Sequence, residues 1–220
     1  MTLTQPETST PDTSSLSRLF RDGSRAEHED AESSSFMSEL LAGRVNERGY
    51  ADYLARLQRV YVALETAGHR LAGDPIAAAV LDPALERSAA IAADVEHWGP
   101  GDAATPATDA YVARIEEAGS TGLGFVAHHY TRYLGDLSGG RAIGRILRNT
   151  FDLDDAGAAF YDFPEIAKPK PYKDAYRARL DDLPLSEGQK LDALAEVKTV
   201  FGLNGGLFAE LTENLDAYRR

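Results

Sequence analysis

The chain contains no cysteine among its 220 residues. Disulfides, thiolate nucleophiles, Fe–S clusters and Cys-x-x-Cys-His attachment of a prosthetic group are therefore excluded. Long apolar runs are also missing. None approaches the roughly 20 residues that span a bilayer, so no membrane span is expected. The opening MTLTQPETSTPDTSS has neither a basic start nor an apolar middle and does not read as a secretory signal. Residues 1–14 read as a disordered tail ahead of one folded domain over 15–220, and a cytoplasmic location is expected. Positive charge is scarce: 23 Lys and Arg stand against 35 Asp and Glu, a net −12. A basic field for nucleic acid is thereby excluded. Alternating strand patterns of useful length are absent too.

What is present is helical. With 43% hydrophobic residues the chain has enough for one substantial core. Tyr50, Tyr53, Leu54, Leu57, Tyr61 and Leu64 recur at three- and four-residue steps. Leu194, Val197, Phe201, Asn204, Phe208, Leu211 and Leu215 form a second such stripe, and Ser186 with Gln189 offers a capping box to start its helix. Asn204-Gly205-Gly206 interrupts that stripe, which suggests a kink or a close contact. Gly43, Gly73-Asp74-Pro75, Gly99-Pro100-Gly101 and Pro169-Lys170-Pro171 separate helices. The expected fold is a single all-α domain without repeats.

The most unusual stretch is Tyr130-Thr131-Arg132-Tyr133-Leu134-Gly135-Asp136-Leu137-Ser138-Gly139-Gly140-Arg141. Three glycines there would cost roughly 3 kcal/mol of helix propensity if additive. Gly135 and Gly139 are four apart and share a face, on which a flat ligand has room to lie. A loop or a helix-packing face would use the same residues. Asp136 is the one acid in the run, and if buried it needs a partner. Far upstream, a first helix is expected to start near Ser15 and to carry His28, followed one turn later by Glu32, a spacing that lets a carboxylate orient an imidazole. The same residues also suit a solvated acidic face. Charge is uneven: residues 121–180 carry nine Lys and Arg against seven Asp and Glu, and the remainder 14 against 28. That pattern suits a positive rim around an anion or a docking site for an acidic redox partner, or ordinary surface scatter.

The run Tyr130 to Gly140 resembles the signature of the heme oxygenases. Four further segments resemble the family in the same order: Ala26-Glu27-His28-Glu29-Asp30-Ala31-Glu32 with Phe36-Met37, Tyr61-Val62-Ala63-Leu64-Glu65, Tyr172 to Arg179, and Phe201-Gly202-Leu203-Asn204 with Leu207-Phe208. They span about residues 16 to 217.

The resemblance implies an all-α bundle holding haem b between the first helix and a kinked glycine-rich distal helix. It implies that His28 ligates the iron, supported by Glu32, and that Asp136, linked to Arg132, orders water on the oxygen side. Gly135 and Gly139 leave room for O2. Arg21, Lys173 and Arg177 are implied to pair with the propionates, and Tyr130 and Tyr176 to line the pocket or contact a propionate; Gly140, Phe201 and Asn204 complete the binding set. Arg21 stands where the mammalian enzymes commonly have lysine, and Arg141 where glutamine is frequent. The implied reaction converts haem, O2 and electrons to biliverdin (the IXα isomer expected), CO and Fe(II). No flavin or dinucleotide fingerprint is present, so a ferredoxin or flavoprotein reductase is the expected donor, and a monomer is expected. A non-catalytic haem carrier would need the same histidine and cations. A ferritin-like di-iron protein would need two Glu-x-x-His pairs, which are absent.

Overall fold

The computed structural model describes residues 15–154 and 156–220; the tail expected over 1–14 lies outside the described residues. The described chain is helical throughout, and its only extended pairing is an isolated antiparallel bridge between Val45 and Arg219. No described helix is long and apolar enough to cross a membrane. In order, the α-helices are α1 (Leu16–Gly23), α2 (Arg25–Glu32), α3 (Ser35–Leu41), α4 (Glu47–Arg70), α5 (Ser88–Trp98), α6 (Pro106–Ala118), α7 (Gly122–Gly135), α8 (Arg141–Phe151), α9 (Pro169–Asp181), α10 (Glu187–Glu213) and α11 (Leu215–Tyr218). A single π-helical turn, Asp136–Gly140, joins α7 to α8.

Local chemistry sets these boundaries. The side chains of Ser15, Ser34, Asn46, Thr105 and Thr121 each accept a hydrogen bond from the N–H three residues on. Such a cap contributes about 1 kcal/mol. The expected Ser186/Gln189 capping box opens α10. The stripe from Tyr50 to Leu64 is buried along α4. Around it, α4 packs on α5, α6, α7 and α11, while α10 packs on α7, α6, α3, α2 and α1. One core therefore runs through α4, α7 and α10.

Two expectations change. Ser15 to Glu32 reads as one helix, but the chain breaks at Ser24, whose hydroxyl donates to the Phe20 carbonyl at 2.7 Å. A serine side chain competing for a backbone acceptor favours such an end. Just before it, a Cβ on Gly23 would stand 2.7 Å from Leu194 Cδ2, so glycine lets α1 press onto α10. Pro169-Lys170-Pro171 is not a spacer. It forms the first turn of α9, where missing N–H groups cost nothing. Asn204-Gly205-Gly206 does not break α10, whose helix runs through it; of the kink or close contact expected there, Asn204 makes a polar contact described below.

Candidate active site

Because α2 and α7 both lean on α10, a gap is left between the first two helices and the glycine run. This cleft has a volume of about 590 Å³ and is walled by His28, Tyr130, Gly135, Gly139 and Phe201, with Arg21, Arg25 and Arg177 among its lining. An inner lobe of about 140 Å³ continues from it past His28, Gly135, Gly139 and Phe201 to Asp136, Arg132, Asn204, Tyr53 and Tyr161.

His28 is half-exposed, at 48%, and its ring meets Phe201 edge-on at 5.4 Å. Its Nδ1 faces Glu32 Oε2 at 3.6 Å, a charge contact longer than a hydrogen bond. That orientation leaves Nε2 as the nitrogen available to a ligand. On the far wall, nothing stands within 4 Å of where a Cβ would project from Gly135 or Gly139. The glycines therefore enlarge the cleft rather than admit a neighbouring helix. The π turn begins immediately after Gly135, at Asp136. Turns of this kind re-aim side chains within a helix and are frequent at functional sites.

Asp136 is buried behind that wall. One carboxylate oxygen accepts from the Tyr61 hydroxyl, and the other faces the Arg132 guanidinium at 3.7 Å. Arg132 Nε donates to Tyr61 Oη at 3.2 Å and Nη1 to Asn204 Oδ1 at 2.7 Å. Burial pushes the Asp136 carboxyl above the ordinary carboxylate range, against the opposing pull of Arg132 and Tyr61. Burial also raises the Tyr61 phenol well above its usual value, so this group remains a proton donor. The result is a carboxylate, a phenol and a guanidinium in one buried cluster at the end of an open channel. It suits holding a polar molecule and handing on a proton.

At the mouth, Arg21 pairs with Asp22 at 2.9 Å and Arg177 with Asp174 at 3.2 Å, all partly exposed. Lys173 does not line the cleft itself; its ammonium donates to Ser138 Oγ at 2.9 Å on the cleft wall. Tyr130 lines the cleft and packs on Phe20 at 5.0 Å. Its phenol is raised by burial, with Arg177 and Arg21 opposing.

One assignment needs correction. Tyr176 does not line the cleft: it is 0% exposed, hydrogen-bonded to His129 Nδ1 at 2.9 Å and stacked on that ring. It lies about 100° round α9 from Arg177 and faces the back of α7. Gly140 lines the inner lobe, yet the space its missing side chain leaves is taken by Tyr161, whose Cδ1 would be 3.2 Å from a Cβ there. Sequence reasoning also missed Arg25 on the rim and Tyr61 as the partner of Asp136. Tyr61 fits the apolar stripe of α4 so well that its polar role was concealed; its only other signal was the Tyr61–Glu65 resemblance.

A half-exposed histidine on one wall, bare backbone opposite and a cationic mouth define the class: a helical protein with a deep cleft shaped for a flat ligand. Comparison with known proteins agrees. The family described as heme oxygenase matches residues 14–210. Human heme oxygenase 1 is 38% identical over 209 residues, covering 91% of this chain and 73% of the relative. The heme oxygenase structure from Leptospira interrogans superposes with a TM-score of 0.84 at 35% identity, over 89% of this chain and 99% of that one. Heme oxygenase-1 from Synechocystis, solved in complex with heme, gives 0.86 at 32% identity over 92% and 95%. The chain belongs to the heme oxygenase family and is an enzyme of that kind.

Proposed function

We propose that this cleft binds haem b as substrate and that the enzyme cleaves it, with O2 and electrons, to biliverdin, CO and Fe(II). The observation that carries the reading is a half-exposed His28 sharing one cleft with the side-chain-free backbone at Gly135 and Gly139, with Asp136 buried just behind. Haem supplies the iron that activates oxygen and the ring carbon that is oxidised. His28 is the residue suited to hold the iron, with Glu32 close enough to orient its ring. Arg21, Arg25 and Arg177 at the mouth, with Lys173 beside them, suit the two propionates. Gly135 and Gly139 leave space on the oxygen side. Asp136 accepts from Tyr61 and lies beside Arg132, an arrangement that holds and passes a proton at the carboxyl and phenol oxygens. Electrons come from an external ferredoxin or flavoprotein reductase, and the enzyme works as a monomer in the cytoplasm.

The test is reconstitution. Haem is added to the purified protein, then reductant under air. Decay of the Soret band with growth of a bilin band is expected. A stable haem complex that never yields bilin would make this a haem carrier, and failure to bind haem would remove the reading altogether.

A further inference from the structure

The cations around the cleft mouth are held in two different ways. Arg21 and Arg25 pair with Asp22, and Arg177 pairs with Asp174. Lys173 makes no such ion pair among the described residues. Its ammonium donates instead to the Ser138 hydroxyl at 2.9 Å. That hydroxyl in turn donates to the Leu134 carbonyl at 2.7 Å. A serine has one proton to give, so with Leu134 served it can only accept. It therefore suits a cation and offers nothing to a carboxylate. Ser138 also lines the cleft and directly precedes Gly139 in the π turn. One short segment thus supplies both the bare backbone of the wall and the tether of a rim cation, at a spacing set by adjacent residues.

We propose that Ser138 is a positioning residue acting through Lys173: it holds the ammonium beside the glycine wall, uncommitted to any carboxylate, ready to pair with an anionic group on the ligand's edge. The inference rests on the haem-binding reading above, in which that group is a propionate. A neutral hydroxyl occupies only one of the three ammonium donors and leaves the charge uncancelled. That charge is disfavoured in the free protein. Burial, then Arg177, holds the Lys173 ammonium below its usual pKa, and an arriving anion offsets both. Tethering also lowers the cost of ordering, since a free lysine gives up rotamer freedom on binding. Because the tether adjoins Gly139, the anionic edge of the ligand is registered against the wall where the backbone is bare.

The test is Ser138→Ala, with Ser138→Thr as the variant that keeps the hydroxyl. The first readout is the NMR spectrum of the haem-free protein carrying labelled lysine, the Lys173 signal being identified by its loss in Lys173→Arg. The two Hε protons of a tethered lysine are resolved from each other. They should merge in Ser138→Ala and stay apart in Ser138→Thr. The second readout is titration with ferric haem. Ser138→Ala should weaken binding about fivefold, as for the loss of one hydrogen bond, and Ser138→Thr should restore it. In a Lys173→Ala background the same substitution should change nothing. Unchanged Hε signals, or an equal loss of affinity with and without Lys173, overturns the proposal and leaves Ser138 a serine bonded to its own helix. If the wild-type protein fails to take up haem, that result removes the proposed function alone, and the haem-free spectra still uphold or overturn the tether.

Discussion

His28 and Asp136 divide the work of the cleft, and their surroundings differ accordingly. His28 is half in solvent and is held by one loose contact to Glu32. His28→Ala is therefore expected to leave the fold intact and to retain haem through the apolar walls, while losing the histidine-ligated absorption spectrum and most turnover. Added imidazole should partly restore both; an unchanged spectrum in the variant counts against the ligand assignment. Asp136 is instead fastened by Tyr61 and faced by Arg132 in a buried cluster. Removing the carboxyl leaves Arg132 buried with less compensation, so Asp136→Ala should cost stability, about 3 kcal/mol by analogy with other broken buried charge pairs. It should also divert the enzyme: biliverdin falls and peroxide-driven oxidation of an added phenol rises. Asp136→Asn should be milder, because an amide still accepts from Tyr61. Wild-type biliverdin rates in Asp136→Ala would make the residue a structural one.

At the scale of elements, α7, the π turn and α8 form one continuous wall whose glycines do opposite jobs. Gly139 faces open cleft, but Gly144 faces Tyr161 Cβ at 2.8 Å from a built Cβ. Gly139→Ala should leave haem-free stability unchanged or raise it by up to about 1 kcal/mol, the difference in helix propensity, while weakening haem uptake. Gly144→Ala should lower stability. Calorimetry of the haem-free variants with a haem titration separates the two roles. The spacing of Gly135 and Gly139 made the open face legible in the sequence. The partner of Gly144 lies across the fold on the turn before α9, and no local pattern announces it. The caps of α10 and the stripe of α4 were legible for the same local reason. Tyr61 was not, because a tyrosine in an apolar stripe looks alike whether its hydroxyl meets solvent or a carboxylate. Nor was Tyr176, since a basic helix face at Lys173 and Arg177 does not reveal which neighbour turns inward.

The joint between α7 and α9 carries its own pH signature. His129 is fully buried against Tyr176, and burial first, then Arg179, pulls its pKa from 6.5 down to about 3. Below pH 6.5 the unfolded chain takes up a proton that the folded one refuses, so stability falls as pH drops from 6.5 towards 3. The slope is about 1.4 kcal/mol per pH unit, or roughly 2 kcal/mol by pH 5. Glu196, held at about 2 by His128 and Arg114 against its burial, adds a loss only below its ordinary 4.5. Carboxyls raised by burial, Asp136 and Asp94, act in the opposite direction as pH falls, so the His129 contribution is read as a difference between variants. The double variant His129→Phe/Tyr176→Phe removes the titration without orphaning the phenol. Its Tm should change less than that of wild type between pH 7 and pH 5; equal slopes would assign the acid lability elsewhere.

Across the whole molecule, negative charge dominates, and yet the cleft mouth is cationic. A dianionic ligand approaching a chain of net −12 meets local attraction at Arg21, Arg25, Lys173 and Arg177 around the cleft. These groups are only lightly committed. Asp22 lies 2.9 Å from Arg21 and 3.4 Å from Arg25, and Asp174 lies 3.2 Å from Arg177, in pairs open to solvent and weakened by it. On the function proposed above, exchanging them for propionates would be cheap, and the new pairs would fix the in-plane rotation of the ring and so the edge that meets Gly135 and Gly139. Lys173 and Arg177 sit on one face of α9, one turn apart, so they act together. Lys173→Ala/Arg177→Ala should retain His28 ligation, weaken haem uptake more at low salt than at high salt, and release a mixture of biliverdin isomers. Chromatography of the products is the measurement. If the double variant yields one isomer as pure as wild type, the ring is oriented by the apolar walls alone, and the cations serve only to draw haem in.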